Sequence, residues 1–206
     1  MISFTRVYLS LTARMAVRLN CHDCALKRYQ RVERLQSSGA HTAAAIMAQA
    51  HVWALKGDRL RAKAEFQRAL DLSPHQAIAH FNLGWLCDQQ ELLDDARAHF
   101  ERAVAIRPDL DRAWYGIGIV AIKRADHARA RQAFREVVRI DPTNKYGWYQ
   151  LGMTHFVLGE TRELIELKEH VARFNPAIAQ MLDRDSTRLK QQLDAGPARN
   201  ADALAV

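Results

Sequence analysis

Two cysteines lie close together near the start of the chain, in the segment Cys21-His22-Asp23-Cys24. This CxxC spacing can provide half of a zinc site, or a redox pair. A closed zinc site needs further ligands, but no second CxxC exists and no spacing points to His41 or His51. The odd total of three cysteines argues against a disulfide framework. We therefore expect plain thiols at a helix junction, with no metal ion and no other cofactor.

The other residue types that perform catalysis show no catalytic spacing. The histidines form no HExxH motif, and no glycine-rich phosphate loop or GxSxG motif occurs. Adjacent carboxylates such as Asp94-Asp95 fit the ordinary polar face of a helix. We predict that the chain has no catalytic residues, is not an enzyme and takes no small-molecule substrate.

The positive charge of the chain is concentrated at its N-terminus. The formal net charge is +7 over 206 residues, and residues 1–42 hold seven Lys and Arg against two acids. The remaining residues therefore carry only +2, which makes a nucleic-acid face spread over the molecule an improbable explanation. No apolar run approaches the roughly 18 residues of a spanning helix. Arg14 and Arg18 also interrupt the first apolar run too early for a secretory signal, so we expect a cytoplasmic location.

The N-terminal residues suit two amphipathic helices, one within residues 1–22 and one from Asp23 to Gln36. The first contains no acid, and it could lie on an anionic membrane or serve as an organellar targeting segment. The second has a basic face that could meet lipid or nucleic acid, formed by Lys27, Arg28, Arg31 and Arg34. Packed, solvated surface helices are the more common explanation for both segments.

A period of 34 residues organises most of the rest of the chain, in units 43–76, 77–110, 111–144 and 145–178. The eighth place of each unit holds a small residue: Ala50, Gly84, Gly118 and Gly152. The twentieth place holds Ala62, Ala96, Ala130 and Leu164. The twenty-fourth place holds Phe66, Phe100, Phe134 and Lys168. The thirty-second place is always proline: Pro74, Pro108, Pro142 and Pro176.

These places predict two short helices per unit, joined by tight turns near Gly57, Glu91, Ala125 and Gly159. Small residues at the eighth and twentieth places let the two helices approach closely. The aromatic at the twenty-fourth place fills the space between neighbouring units, and the proline ends the second helix. Asp58 and Asp126 are predicted to cap second helices.

The pattern resembles the tetratricopeptide repeat family. In the third unit the resemblance rests on Trp114, Ile117-Gly118, Ala130, Phe134 and Pro142, and in the fourth on Trp148, Leu151-Gly152 and Pro176. The first unit departs from the family pattern at Gln49, where an aliphatic residue is expected. The fourth departs at Leu164 and Lys168, as terminal repeats often do. His155 stands where the family uses a packing aromatic, so we interpret it as a packing residue.

The resemblance implies an all-α, right-handed superhelical solenoid of helix-turn-helix hairpins over residues 43–178. Residues 1–42 are expected to form the basic N-terminal helices, which resemble a degenerate repeat. A C-terminal helix starting at Pro176 is expected to cap the last unit over residues 179–194, with a dimer contact as the rival role. Residues 195–206 are expected to form a disordered tail.

In this family the first helices of successive units line a concave groove that binds a peptide of a partner. The resemblance therefore implies a protein-binding scaffold or adaptor. Its candidate groove residues are Phe81, Asn82, Trp85, Arg112, Tyr115, Ile119, Lys123, Tyr146, Tyr149 and Met153. Several of these are aromatic although the packing skeleton does not need them, which is typical of interaction sites. The alternative is that the N-terminal segment or the tail fills the groove.

One subset of the family grips a C-terminal carboxylate with a clamp of Lys, Asn and Arg side chains. At the matching places only Asn82 and Arg112 fit, because Met47, His51 and Gly116 occupy the others. We therefore do not expect that clamp, although Asn82 could bond a peptide backbone and Arg112 could attract an acidic residue. The alternative function is a membrane-surface adaptor, or less plausibly a nucleic-acid adaptor, that acts through the basic N-terminal helices.

Overall fold

The computed structural model describes residues 2–35 and 39–194, so the predicted tail at 195–206 and the end of the predicted second helix at Gln36 lie outside it. Within the described residues the backbone forms eleven α-helices and no strand. They are α1 (Ile2–Arg18), α2 (His22–Arg34), α3 (Gly39–Leu55), α4 (Arg59–Leu72), α5 (Ala77–Asp88), α6 (Leu93–Ile106), α7 (Asp111–Lys123), α8 (His127–Ile140), α9 (Lys145–Val157), α10 (Thr161–Ala172) and α11 (Pro176–Asp194).

The helices pair into hairpins through one recurring turn. The residue at the turn has a left-handed backbone in each case: Asn20, Gly57, Glu91, Ala125 and Gly159. The next backbone N–H then bonds a carbonyl five residues back, for example from Asp58 to Trp53 at 3.0 Å and from Asp126 to Ala121 at 2.9 Å. The turn thus supplies backbone N–H donors to the carbonyls at the end of the first helix. The four turns predicted from the repeats are confirmed, and the α1–α2 hairpin uses the same turn at Asn20.

The predicted helix boundaries also follow from capping chemistry. The carboxylates of Asp58 and Asp126 each accept from the backbone N–H three residues later, at 3.0 Å, so both predicted caps are confirmed. The second helices α4, α6 and α8 end two residues before Pro74, Pro108 and Pro142 respectively. The prolines therefore lie just beyond each helix, because proline cannot donate the hydrogen bond that would continue it.

The described helices divide into two compact units, the first ending at Gly116 and the second beginning at Ile117, so that α7 contributes to both. In the first unit each helix from α1 to α5 contacts the next one along the chain. Its core alternates small and large side chains, and includes Ala50, Ala62, Phe66, Leu83 and Leu86. Alanines at the crossing points allow the close approach of the backbones that the eighth and twentieth places predict.

The departure at Gln49 has a structural explanation in the first unit. Its side chain is buried, and its amide donates to the Glu33 carboxylate at 2.6 Å. Glu33 also pairs with Arg68, so one carboxylate joins α2, α3 and α4. A buried amide is tolerated when its polar atoms are bonded, and that condition is met here.

In the second unit α9 contacts α8, α10 and α11. The C-terminal helix α11 begins at Pro176 as predicted and buries Ile178 and Leu182. A Cβ placed on Gly152 of α9 would lie 2.7 Å from a methyl carbon of Leu182. The helix α11 therefore packs directly against the glycine of the last repeat.

The two cysteines of the CxxC segment form a disulfide in the structure, so the expectation of plain thiols at this helix junction is wrong. Cys21 caps the N-terminus of α2 and Cys24 lies in its first turn, with the Cα atoms 5.4 Å apart. Residues three apart on a helix face the same side, which brings the two sulfurs together. The third cysteine, Cys87, is a buried thiol at a helix-packing place, as predicted.

Candidate functional site

The surface of α5 presents an exposed indole directly beside a tightly packed glycine. Trp85 is 44% exposed, whereas Gly84 before it is buried against the ring of Phe100 on α6. A Cβ on Gly84 would lie 2.8 Å from that ring, so the close packing of α5 and α6 holds the backbone at Trp85 in place. The ring of Phe81 is half-buried, with its centroid 6.1 Å from that of Phe100. Phe81 is thus more deeply packed than Trp85, which exposes a larger part of its ring to solvent.

The same phenylalanine connects α5 to α7. A Cβ on Gly116 would lie 2.6 Å from the far end of the Phe100 ring, so glycines of both helices contact one side chain. Tyr115, which precedes Gly116, is half-buried, and Arg112 on the same helix is exposed. The structure therefore brings α5 and the start of α7 together around Phe100, with candidate contact residues next to both glycines.

The amide group of Asn82 is partly used by its own helix. Its Nδ2 donates to the backbone carbonyl of Ile78 at 2.9 Å. This bond fixes the side chain on α5 and directs one N–H away from any ligand. The side-chain carbonyl oxygen of an amide is a separate acceptor, which can still receive an N–H.

The other predicted groove residues lie in the second unit, and their exposure differs. Ile119 and Met153 are half-buried, whereas Lys123 is exposed. Tyr146 is 63% exposed, and the ammonium of Lys145 lies 5.0 Å from the centroid of its ring. A cation over an exposed ring is a modest attraction and leaves the other ring face accessible.

Tyr149 already has a partner within the second unit. Its hydroxyl donates to Oδ2 of Asp185 on α11 at 2.9 Å. Burial, and then the bond to Asp185 and its negative charge, raise the pKa of the Tyr149 phenol. The sequence did not predict this contact, because nothing in the repeat pattern gives the position of α11 relative to α9.

A histidine pair in the second repeat was also missed. The Nδ1 atoms of His80 on α5 and His99 on α6 are 3.2 Å apart. Burial lowers the pKa of both rings, and the neighbouring charge of His99 lowers that of His80 further. His80 stands at the fourth place of its repeat, where the next two repeats have tryptophan. In the sequence, the only signal for the pair was this imidazole at a place where the next two repeats have an indole.

The tryptophans at that place, Trp114 and Trp148, each donate their indole N–H at 2.8 Å. The acceptors are the carbonyls of Pro108 and Pro142, the prolines at the thirty-second place of the preceding repeat. His80 makes the equivalent hydrogen bond to the Pro74 backbone, which can only be a carbonyl because proline has no N–H. One polar contact thus links successive repeats in all three cases.

His155 occupies a packing place, but it also forms a polar network. The ring is buried and its Nδ1 lies 2.6 Å from Oε2 of Glu160, which also pairs with Arg131. Burial alone would raise the pKa of Glu160, but the bond from His155 and the charge of Arg131 outweigh it and lower that pKa. The network connects α8, α9 and the start of α10, so we assign it a structural role.

Two other classes of site are absent from the described residues. Over residues 2–35 and 39–194, no group of three or more His, Cys, Asp or Glu side chains is placed to hold a metal ion. Over the same ranges, no helix has both the length and the apolar character needed to cross a bilayer.

Comparisons with known proteins identify the repeats. A protein-family model described as tetratricopeptide repeat matches residues 54–111 and 108–145. Comparison with curated protein sequences gives no match. These matched residues include Trp85, Arg112 and Tyr115.

Solved structures give the same fold at low sequence identity. The chain is similar to PilF of Pseudomonas aeruginosa (TM-score 0.75, 16% identity, covering 94% of this chain and 87% of that one). It is also similar to MamA of Desulfovibrio magneticus RS-1 (TM-score 0.66, 19% identity, covering 88% and 96%). A third similar structure is YrrB, described as a tetratricopeptide repeat protein with an unusual peptide-binding site (TM-score 0.66, 21% identity, covering 85% and 90%). The predicted all-α solenoid of helix-turn-helix repeats is confirmed.

Proposed function

Since this chain is a tetratricopeptide repeat protein, we propose that it is a non-catalytic scaffold that binds a peptide segment of a partner protein. The observation that carries the proposal is the exposed indole of Trp85 on a rigidly packed stretch of α5. Tryptophan is enriched among the residues that dominate binding energy, and exposed apolar patches often mark interaction sites.

The residues around Trp85 fit a peptide that has both apolar and charged side chains. Phe81 and Tyr115 are half-buried rings that add apolar area at low entropic cost, since packing already restrains them. The carbonyl oxygen of Asn82 can accept a backbone N–H of the peptide. The exposed guanidinium of Arg112 can pair with a carboxylate of the partner. We therefore propose a peptide with an apolar anchor and a nearby acidic residue.

The candidate residues of the second unit are proposed as a secondary contact set. Tyr146 and Lys123 are exposed, and Ile119 and Met153 are half-buried. Tyr149 contributes less to the proposal, because a ligand that used its hydroxyl would have to replace Asp185. The similarity to YrrB, whose description includes a peptide-binding site, supports the ligand class and not a particular sequence.

The test starts from peptides selected from a displayed random library against the purified chain. Trp85→Ala combined with Tyr115→Ala should weaken binding of the selected peptides at least about tenfold, as expected when contact hot spots are truncated. Leu60→Ala is the matched control, because Leu60 on α4 is a still more exposed apolar residue. Equal affinity of the double variant and the control, with unchanged helicity by circular dichroism, would refute the proposed surface.

The expected cytoplasmic location stays a prediction. Membrane-surface contact through the N-terminal helices is favoured by the large apolar side chains that α1 exposes to solvent.

A further inference from the structure

The outward side of α1 carries a stripe of large apolar side chains in contact with water. The α1 stripe consists of Val7, Tyr8, Leu11 and Met15 together with Leu19, which directly follows the last residue of the helix, and these side chains are between 55% and 76% exposed. At about 100° per residue these five side chains cover roughly one third of the helix circumference. A surface helix ordinarily has polar residues there. We propose that the α1 stripe is a docking surface for an anionic lipid bilayer.

The packing of the protein does not account for the stripe. The opposite side of α1 buries Leu9 against Val32 and Ala45, and it buries Ala13 and Ala16 among residues of α2 and α3. The helix is therefore already attached to the fold through its other face. The five exposed side chains are not needed for that attachment, and they form a contiguous patch of the kind that marks an interaction site.

The charges around the stripe match a negatively charged surface. Arg14 and Arg18 are exposed, and their positions on the helix wheel lie within or beside the stripe. No acid occurs in residues 1–22. Arginine can lay its apolar stem along acyl chains while its guanidinium reaches lipid phosphates.

The second helix extends the basic surface. Lys27, Arg31 and Arg34 of α2 are exposed, and each adds attraction to an anionic leaflet. The two acids of this region are already paired within the fold, Asp23 with Lys56 and Glu33 with Arg68. The positive field of the α1–α2 hairpin is thus not offset by unpaired local carboxylates.

A shallow apolar crevice adjoins the stripe. It has a volume of about 310 Å³, and Met15 and Leu19 form one side of it. The Cys21–Cys24 disulfide and Arg28 form part of the other side. The crevice continues the apolar surface from α1 towards α2 and places a further cation at its rim, which is the arrangement an interfacial helix needs.

The charges also distinguish lipid from a second copy of the chain. A two-fold contact between two α1 stripes would bring Arg14 and Arg18 of both copies into one interface. Four like charges without counter-ions oppose such a contact, whereas lipid phosphates neutralise them. Charge complementarity therefore favours a bilayer.

Vesicle sedimentation of the full chain tests the proposal, with vesicles of phosphatidylcholine alone and of phosphatidylcholine mixed with phosphatidylglycerol. We expect binding to the anionic vesicles only, and we expect it to fall as salt is raised. Leu11→Gln, Met15→Gln and Leu19→Gln together should lower the partition constant at least about tenfold, because three apolar side chains no longer enter the bilayer. Arg14→Gln with Arg18→Gln should lower it about tenfold or more.

Two controls separate this proposal from peptide binding and from misfolding. Leu60→Gln alters an equally exposed leucine on α4 and should leave vesicle binding unchanged. The double variant Trp85→Ala, Tyr115→Ala should lose peptide binding and keep vesicle binding. The peptide proposal and the bilayer proposal can therefore fail independently. The α1 triple variant should keep the helicity and melting temperature of the parent, since it changes only exposed side chains.

Three results would overturn the proposal. The first is no binding to anionic vesicles, and the second is equal binding by the triple variant and the parent. The third is a dimer in analytical ultracentrifugation that the triple variant abolishes, because the stripe would then belong to a second copy.

Discussion

The repeat at 77–110 and the repeat at 145–178 have the same Leu-Gly pair on the first helix but fill the space beside it differently. In the earlier repeat, the ring of Phe100 from the second helix of that repeat lies against Gly84. In the later repeat Lys168 takes the place of the aromatic, and Leu182 of α11 lies against Gly152 instead. The last repeat therefore depends on the capping helix for a core side chain that an inner repeat supplies itself.

A second difference between these repeats lies at their fourth place. His80 and Trp148 both donate to the carbonyl of a preceding proline, but only His80 can gain a proton. His80 also meets a second ring, His99, whereas Trp148 packs against His170 and Phe174. The ring that links successive repeats can thus gain a proton in one place and not in the other.

The largest effect is expected from Phe100→Ala. The ring is 2% exposed and fills the space beside glycines of two helices, so its removal leaves a cavity that backbone movement cannot close. The free energy of unfolding should fall by about 3–5 kcal/mol, as for other buried aromatics. Urea denaturation followed by circular dichroism measures it. A near-zero change would show that the repeat register is wrong.

A similar loss of stability is expected when Leu182, the α11 side chain that packs against Gly152 of the last repeat, is truncated. Leu182 is fully buried, so Leu182→Ala should cost about 2–5 kcal/mol. Lys168→Ala is the matched control, since Lys168 forms an ion pair with the exposed carboxylate of Asp183, and it should cost about 1 kcal/mol or less. Comparable losses in the two variants would contradict the idea that α11 replaces the aromatic.

The histidine pair predicts a pH dependence of stability. The pKa values of His80 and His99 are lowered in the folded chain, so the unfolded chain binds protons more readily. Their contribution is therefore complete above the ordinary histidine pKa of about 6.5 and is lost as pH falls below it.

Urea midpoints between about pH 8 and about pH 5 measure this dependence. His80→Gln combined with His99→Gln should flatten the part of the profile below the ordinary histidine pKa. The parent and the variant would have parallel profiles if the pair did not titrate on unfolding.

The smallest effect concerns the turns. Gly57 and Gly159 adopt the left-handed backbone without strain, whereas Ala125 has a φ of 58° with a side chain present. Ala125→Gly should therefore raise the free energy of unfolding by about 1 kcal/mol. Gly159→Ala should lower it by a similar amount, and the two melting temperatures should move in opposite directions. Destabilisation by Ala125→Gly would mean that backbone entropy outweighs the strain at this turn.

The features predicted from sequence are those that the period repeats or that depend on nearby residues. The turns, the aspartate caps, the prolines and Phe100 all belong to this class. The contacts that the sequence did not predict join a residue of the last repeat to a residue of α11, such as Tyr149 with Asp185, and Gly152 with Leu182. Their distances depend on how α11 packs, which no local rule gives. The Cys21–Cys24 bond was missed for another reason, because an odd cysteine count excludes complete pairing but not one bridge.

The central claim is that Trp85 contacts a peptide of the partner, and site-directed crosslinking in cells tests it most directly. A photoreactive benzoylphenylalanine is introduced at Trp85 in one strain and at Leu60 in another, and crosslinked peptides are identified by mass spectrometry. We predict that position 85 crosslinks to one recurring segment of one partner, with an apolar residue near an acidic one, and that position 60 does not. Crosslinks of equal yield from both positions, or none that recur from position 85, would contradict the proposed binding surface.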